Sequence, residues 1–513
     1  MLINKKYTRI LCTVITLTVG IILGVWQTRP PRVNKSSQMY PVYERMMANF
    51  QKMAEKPHPT NSAEIKVVRA HLLAEIKNMG LTPIIQDIVF TREELINDMF
   101  FKQNHVSSLE ELWETSQEAL AKYQDIHSLN ELINYYNNFP FYEFFEGADE
   151  DGNIFLQNIM VKLDAPDTDS GALFVAHYDS MPEGPGAADD MVSVVSLLEA
   201  VRSQAQNKTL KADLYFLFCD CEERYMTAFG GMKGSKIFVE EYPELKDKID
   251  LVINFDARGN RGALMLFETS PGAYRLVKAY KKSGAWLYGF SLVKKLYYIS
   301  PIGTDFNRFL DEGYNGINFA VIEGVQAYHT INDSYINLNR MTAWHYLQTI
   351  LSLVNYTANN TLEGLRKPSR EAVFFPFLPG HIVLMTDIVS HILCAIAVFL
   401  ALAVIALSVR NRRLKPAIST ILICLLIPSS IIYSIFYTAA SYLFYIPLLL
   451  IAITSLIKKW PKVHLAVKMT FGSTSFLGRQ HRWRGITPDQ IVLLASAVVK
   501  CKTLSNIEPL LSE

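Results

Sequence analysis

Three long stretches without Asp, Glu, Lys or Arg constrain this 513-residue chain more than any other feature. They are residues 10–28, 388–409 and 416–457. About 20 such residues in a helix cross the hydrocarbon core of a bilayer. The third stretch has 42 residues and would be about 63 Å long as one helix, so we expect it to turn back between Phe436 and Ser441. We therefore predict four membrane spans, one at the start of the sequence and three near its end.

Basic residues beside these stretches predict the orientation. One cluster lies between the second and third spans, and another follows the fourth span: Arg410, Arg412, Arg413 and Lys415, then Lys458, Lys459, Lys462 and Lys468. Cytoplasmic loops are rich in Lys and Arg, so both clusters are expected in the cytoplasm. The region between the first and second spans is then extracytoplasmic. A cleaved signal peptide is the alternative for the first stretch, but no small-x-small cleavage pattern follows it.

These spans divide the chain into four predicted parts. Residues 1–38 form a membrane anchor, 39–370 a soluble domain, 371–457 three transmembrane helices and 458–513 a cytoplasmic tail whose role the sequence does not reveal. The charges balance, with 50 basic and 49 acidic residues, which gives no reason to expect a nucleic-acid partner. The bilayer is the expected partner, and the oligomeric state, host organism and particular membrane stay open. Cys219 and Cys221, the cysteines of the soluble domain, are too close in sequence to form an unstrained disulfide.

The soluble domain alternates buried strands with helices. Helical periodicity occurs at residues 63–79 and 191–205, and short apolar runs typical of buried strands occur at 172–176, 214–219, 251–255 and 317–322. This pattern predicts an α/β fold, with a mostly parallel mixed sheet sandwiched by helices. Residues 91–142 interrupt it with a polar, Glu-rich helical stretch, which we interpret as an insertion that caps the domain.

Polar residues with metal-binding chemistry follow the predicted strands, where open α/β sheets place their sites. Each has an ordinary explanation when taken alone, since an acid that begins a helix is usually an N-cap and an acidic turn is usually solvated. Together they supply two imidazoles and three carboxylates, from His177, Asp189, Glu223, Asp256 and His329. That inventory suits two Zn²⁺ ions that share one bridging carboxylate.

The order of these motifs resembles a known family. H-x-D, G-A-x-D-D, E-E, N-x-D and Y-H-T follow one another as in the di-zinc aminopeptidases, which include bacterial leucyl aminopeptidase, aminopeptidase Y and glutamate carboxypeptidase II. The flanking residues are closer to the membrane-anchored branch, endoplasmic reticulum metallopeptidase and vacuolar membrane protease. Those residues are 177–180, 185–190, 254–259 and 304–306, together with Pro-His-Pro-Thr at 57–60. The resemblance covers about residues 40 to 365.

The resemblance implies a role for each metal ligand. Asp189 would bridge the two zinc ions, His177 and Asp256 would hold one of them, and Glu223 and His329 would hold the other. The same resemblance implies a zinc aminopeptidase-like fold and a membrane-bound exopeptidase that removes N-terminal residues from peptides outside the cytoplasm.

It also implies roles for residues that hold no metal. Asp179 would orient His177, and Glu222 would be the general base that takes a proton from the attacking water. Tyr328 would polarise the scissile carbonyl. Arg258 would either contact a substrate carboxylate or pair with a nearby acid, and we favour the second.

Several readings remain open beside the aminopeptidase. A carboxypeptidase acting on acidic tails and a glutaminyl cyclase share the fold, although the cyclase motif replaces the second aspartate, which this chain keeps as Asp190. An inactive membrane scaffold fits poorly because all of the ligand positions are present. A transporter fits less well, because the three C-terminal spans contain no acidic or basic residue to mark a pathway, and we expect His391, the one imidazole in them, to be packed or interfacial. Substrate preference stays open, because the loop at residues 224–233 is six residues longer than in the family.

Overall fold

The computed structural model describes residues 18, 24–97, 100–101, 105–138, 147–166, 168–223, 231–297, 303–410, 418–436 and 441–459. The chain divides into two compact units, Met1–Thr386 and Asp387–Glu513. Most of the predicted first span, residues 10–28, lies outside the described residues, and so do residues 460–513 of the predicted tail.

A seven-stranded mixed sheet forms the centre of the first unit. Its strands are β1 (Ile84–Phe90), β2 (Ile154–Leu163), β3 (Gly171–His177), β4 (Asp213–Cys219), β5 (Ile249–Ala257), β6 (Met265–Thr269) and β7 (Gly316–Val321). Their order is β1-β2-β4-β3-β5-β7-β6. The four central strands β4, β3, β5 and β7 are parallel, whereas β1, β2 and β6 pair antiparallel. The predicted α/β class is confirmed, and all four predicted strands lie in the parallel centre.

Helices cover both faces of this sheet. They are α1 (Tyr40–Met53), α2 (Ala63–Asn78), α3 (Arg92–Asn97), α4 (Leu109–Tyr123), α5 (Leu129–Asn137), α6 (Val192–Gln204), α7 (Lys233–Glu241), α8 (Tyr274–Lys282), α9 (Ser291–Tyr297), α10 (Asp305–Asp311) and α11 (Arg340–Ala358). Phe174 of β3 packs in a core with residues of α1, α2, α6, α8 and α11. Its neighbours Leu173 and Val175 point to the other face and pack with residues of α7 and α10. Burial on both faces explains why the central strands are apolar throughout.

The predicted helical insertion contains α3, α4 and α5. Ser108 and Ser128 accept hydrogen bonds from the third residues of α4 and α5, and such N-caps favour helix formation at these points. The insertion has a small apolar core of its own, which includes Leu95 and Leu132 and also contains Cys221. It therefore packs directly against the turn that follows β4.

The first unit ends with a hairpin that the sequence analysis did not predict, β8 (Ala372–Leu378) and β9 (His381–Thr386). The second unit contains α12 (Asp387–Arg410), α13 (Ile418–Phe436) and α14 (Tyr442–Lys459). Two helices thus occupy the third charge-free stretch, and they lie on either side of the predicted turn. Within the second unit, His391 Nδ1 lies 2.7 Å from the hydroxyl of Ser434.

The length and hydropathy of the helices can be compared with the four predicted membrane spans. In the described part of the chain, one segment is long and apolar enough to cross a membrane, Asp387–Ala406 with a mean hydropathy of 2.8. The apolar segments of the two following helices are shorter, Leu425–Ser434 and Tyr442–Ile453. The structure therefore supports one of the four predicted spans by length and composition.

Candidate metal centre

The parallel strands bring the predicted ligands to one edge of the sheet. His177 is the last residue of β3, Asp256 is the penultimate residue of β5, and Glu223 follows β4 by four residues. His329 lies in the loop after β7, and Asp189 lies in the turn that precedes α6. Because these strands are parallel and adjacent, their carboxyl ends meet, although the residues are far apart in sequence.

The five side chains form two groups that share one carboxylate. His177, Asp189 and Asp256 offer ligand atoms that lie within 4.8 Å of one another, and so do Asp189, Glu223 and His329. His177 Nε2 is 3.5 Å from Asp189 Oδ1, and His329 Nε2 is 3.4 Å from Asp189 Oδ2. His329 Nε2 is 3.0 Å from Glu223 Oε2. The two oxygens of Asp189 therefore face the two imidazoles, one each.

Asp179 lies behind both groups. Its Oδ1 is 3.4 Å from His177 Nδ1, which also contacts the backbone carbonyl of Asp179 at 3.1 Å. The same carboxylate accepts hydrogen bonds from the backbone N–H groups of Glu222 and Glu223, both at 3.1 Å. This residue consequently fixes the histidine and the acidic turn relative to each other.

Asp333 supports the turn that carries Asp189, and the sequence analysis missed it. Its carboxylate accepts the backbone N–H groups of Ala188 at 2.7 Å and of Asp189 at 3.1 Å. Burial raises the pKa of Asp333 to about 7, and the negative charge of Asp189 contributes to that rise. Asp333 follows the Y-H-T motif by three residues, a spacing that could have marked it.

A second supporting network lies behind the acidic turn, and it was also missed. Asp220, which is fully buried, forms a 2.8 Å ion pair with Arg69 of α2. Its carboxylate also accepts a hydrogen bond from Thr60 at 3.0 Å and from the hydroxyl of Tyr178 at 3.2 Å. The Thr60 hydroxyl lies 3.4 Å from Asp179 as well. The segment around residue 60, part of the Pro-His-Pro-Thr motif, is thus tied to the residues that position the site.

Burial and crowding of like charges shift the pKa values of the centre. Burial raises the pKa of Glu223 to about 8 and raises that of Asp256 well above its ordinary range. Burial lowers the pKa of His329, but the carboxylates of Asp189 and Glu223 outweigh this effect and raise it to about 10. The anionic forms of Glu223 and Asp256 are therefore destabilised here unless a cation lies among them, whereas at Asp189 burial is outweighed by the two imidazoles, which lower the pKa of that carboxyl.

The donor set fits divalent metal ions. Nε2 of His177, Oδ2 of Asp189 and Nε2 of His329 are buried and, although they lie close to one another, make no hydrogen bond of suitable geometry within the described residues. Such buried polar atoms are costly unless they bind something. Imidazole nitrogens and carboxylate oxygens are ligands that Zn²⁺ accepts, and the shared carboxylate of Asp189 gives two sites of three ligands each.

A cavity of about 220 Å³ opens beside this centre. Glu222, Asp256 and Tyr328 line it together with apolar side chains. Burial raises the pKa of Glu222 well above its ordinary value, more than nearby His177 lowers it. Burial also raises the pKa of Tyr328, whose ring stacks on His329 with 3.6 Å between the ring centroids. Tyr328 therefore keeps its hydroxyl proton at neutral pH and is a hydrogen-bond donor.

Comparison with known sequences now identifies the domain. Residues 158–354 match the description "Peptidase family M28". The chain carries a Peptidase family M28 domain. The matched range contains every candidate ligand and Glu222, whereas Thr60 and Arg69 lie outside it and contribute to the M28 domain from the preceding segment.

Relatives of this M28 domain are named vacuolar membrane protease. One from Eremothecium gossypii is 34% identical over 211 residues, which are 40% of this chain and 19% of that protein. One from Saccharomyces cerevisiae is 32% identical over 225 residues, 43% of this chain and 22% of that protein. The match therefore spans about a fifth of the length of these curated relatives.

Solved structures similar to the chain include aminopeptidases. An aminopeptidase from Aneurinibacillus sp. strain AM-1 is similar with a TM-score of 0.45 at 14% identity, over 64% of this chain and 98% of that one. A zinc aminopeptidase from Bacillus subtilis is similar with a TM-score of 0.42 at 13% identity, over 64% of this chain and 97% of that one.

The extended loop at residues 224–233 and the helical insertion differ in how much of each the structure describes. Residues 224–230 of the extended loop lie outside the described residues. The insertion does not line the cavity with any of its described residues, 92–97, 100–101 and 105–138. These residues of the insertion pack instead against Cys221, in the turn after β4.

Proposed function

We propose that this protein is a membrane-bound zinc metallopeptidase that removes N-terminal residues from peptides and acts outside the cytoplasm. The observation that carries the proposal is the pair of three-residue groups that share Asp189, with Glu222 beside them at the wall of a cavity. The M28 domain and the names of its relatives support peptide hydrolysis and a membrane location. Helix α12 supports a membrane span, and the basic clusters support the orientation.

Two zinc ions are proposed, held as the shared carboxylate suggests. His177 and Asp256 would hold one ion, Glu223 and His329 the other, and Asp189 would bridge them. The chemistry that such a pair supplies is Lewis-acid polarisation of a carbonyl and a lowered pKa of water.

The side chains of the protein supply proton transfer and orientation. Glu222 would take a proton from the attacking water and later give it to the leaving amine, and burial raises the pKa of this carboxyl, which makes its anion a stronger base. The Tyr328 hydroxyl would donate a hydrogen bond to the oxygen of the scissile carbonyl. Asp179 would keep Glu222 in place, since it accepts the backbone N–H of that residue.

The decisive experiment measures metal and peptide cleavage on the same preparation. The full chain is purified in detergent, its zinc is counted by mass spectrometry, and release of amino acids from a peptide panel is followed by chromatography. We expect two zinc ions per chain and release from the N-terminus that a chelator abolishes. Release from the C-terminus would replace the aminopeptidase with a carboxypeptidase, and absence of any cleavage by the zinc-loaded chain would refute the proposal.

Substitution of the proposed base sharpens the test. Glu222→Gln should keep both zinc ions and lose about 10²- to 10⁴-fold in kcat. Glu223→Gln should instead lose zinc, because that carboxylate is a proposed ligand. Glu183→Gln is the matched control, since Glu183 is an exposed acid outside the two groups. Unchanged turnover in Glu222→Gln would show that the base has been assigned wrongly.

A further inference from the structure

The cavity beside the metal centre has apolar walls and one cation in its lining. Phe267, Val293, Ala320 and Ile322 supply the apolar surface, and Arg258 is the one Lys or Arg among the described lining residues. A cavity of this composition accepts aliphatic groups along its walls but places a permanent positive charge at one point. Glu222 and Asp256 also line the cavity, but they belong to the proposed metal centre, so Arg258 is the charged lining residue that the proposed chemistry does not use.

The backbone and an aromatic ring hold Arg258 at this point. It directly follows β5, and its backbone N–H donates to the carbonyl of Val321 at 2.8 Å. Its guanidinium carbon lies 4.9 Å from the centroid of the Tyr328 ring, a cation–π contact that leaves the N–H groups of the fork available. The guanidinium is therefore positioned between the strand end and the aromatic ring next to His329.

No carboxylate of the described chain lies within ion-pair distance of this guanidinium. The structure therefore differs from the expected pairing of Arg258 with a nearby acid. Arg258 is half-buried, so its five donors are only partly solvated. A half-buried guanidinium that no acid neutralises is a ready partner for an anionic planar group, and carboxylates fit its fork with two parallel hydrogen bonds.

We propose that Arg258 binds a carboxylate of the substrate in this cavity and makes the protein selective for peptides that place a carboxylate there. The proposal rests on the peptidase function proposed above and states the substrate class. The carboxylate has two possible sources, the side chain of a Glu or Asp residue beside the scissile bond or the C-terminal α-carboxylate of a very short peptide. The apolar walls then contact the methylene groups of the bound residue.

Paired peptides separate these two sources. Glu-Ala-Ala is compared with Gln-Ala-Ala, which differs only in the side-chain charge, and Ala-Glu is compared with its C-terminal amide, which differs at the α-carboxylate. We expect kcat/KM to be about 10- to 100-fold higher for the acid in one of the two pairs, as a charge-assisted bidentate contact provides. A ratio within twofold of one in both pairs would overturn the inference.

Variants of the full chain show whether Arg258 causes the preference. In Arg258→Gln the ratio for the discriminating pair should fall to about one, and Arg258→Lys should restore part of it. Arg261→Gln is the matched control, because Arg261 is exposed, lies three residues further on and does not line the cavity. Retention of the acid preference in Arg258→Gln would refute the assignment and would leave Arg258 with the single task of holding the Tyr328 ring.

A binding measurement keeps this inference separate from the proposed function. Glutarate should raise the Tm of the full chain more than the neutral glutaramide does, and Arg258→Gln should remove that difference. Equal shifts for the two compounds would overturn the inference even if peptides are cleaved. A glutarate shift that depends on Arg258, in a zinc-loaded chain that cleaves no peptide, would instead support the binding site and contradict the peptidase function.

Discussion

The buried ion pair behind the acidic turn leads to a quantitative prediction. Arg69 Nη2 and Asp220 Oδ2 are 2.8 Å apart, and the two side chains are 13% and 0% exposed. Asp220→Asn keeps the shape of the side chain but leaves the guanidinium of Arg69 without an anion in a site almost closed to water. Loss of one partner of such a pair costs about 3 to 5 kcal/mol, because the other charge stays buried.

This free energy corresponds to a measurable shift in Tm. The first unit ends at Thr386, and an unfolding entropy of about 2.1 cal/mol/K per residue gives roughly 0.8 kcal/mol/K for a unit of that length. The expected decrease in Tm for Asp220→Asn is therefore about 4 to 6 °C. Removing both charges in Arg69→Met with Asp220→Asn should cost less than the sum of the single changes, since neither partner is then left charged alone.

Thermal unfolding of the zinc-loaded full chain, followed by intrinsic fluorescence, measures these shifts. The control is Glu240→Gln. Glu240 and Lys236 form an ion pair of similar length, 2.7 Å, but their side chains are 51% and 47% exposed. An exposed pair contributes at most about 1 kcal/mol, which predicts a shift of about 1 °C or less. A shift for Asp220→Asn no larger than that of the control, or full additivity in the double variant, would refute the reasoning.

Three further predictions test other parts of the structure. Burial lowers the pKa of His345 from 6.5 to about 4, so between these pH values the unfolded chain binds a proton that the folded chain does not. The free energy of unfolding should therefore fall by roughly 3 kcal/mol as the pH decreases from 6.5 to 4. Unfolding measurements across this pH range should show a weaker pH dependence for His345→Gln. Removal of zinc by a chelator should lower the Tm, by an amount equivalent to about 4 kcal/mol if zinc had been present at 1,000 times its Kd, and an unchanged Tm would contradict the metal centre. A Cβ at Gly231 would overlap the carbonyl oxygen of Glu222, so Gly231→Ala should reduce kcat by about 10²-fold. Gly284 is the control, because a Cβ there meets no atom within 4 Å and its φ of +83° strains only the local backbone. Gly284→Ala should therefore lower stability without lowering kcat, and equal kcat values for the two variants would show that the Gly231 contact does not position the base.

The sequence predicted the centre of the sheet better than its edges. Strands β3, β4, β5 and β7 are buried on both faces, which produces the short continuous apolar runs that were recognised. Strand β1 lies at an edge and alternates buried and exposed residues, with the polar pair Gln86 and Asp87 in its middle. Its apolar residues do not follow this alternation, since Ile85 and Val89 are exposed and Gln86 is buried, so its pairing with β2 became visible only in the folded chain.

The candidate ligands could be predicted because each lies at the end of a recognisable strand or the start of a helix. Asp179 belongs to the H-x-D motif and Asp333 lies three residues after Y-H-T, but the groups that the supporting residues contact could not be predicted, since each contact joins distant parts of the chain. Asp333 accepts the N–H of Ala188 across 145 positions, and Arg69 reaches Asp220 across 151. Aspartate and arginine occur throughout the chain, and the tertiary fold determines which of them come into contact.

The amino-acid sequence by itself determined which segments are apolar enough for a membrane, that the soluble part is α/β, and which imidazoles and carboxylates follow its strands. These are local properties, because hydrophobic periodicity and residue chemistry depend on neighbours along the chain. The tertiary structure alone decided that Asp189 faces both histidines and that Arg258 lies over Tyr328 with no acidic partner in the described part of the chain. Distances between remote side chains depend on the strand order and on the packing of the loops, which no local pattern encodes.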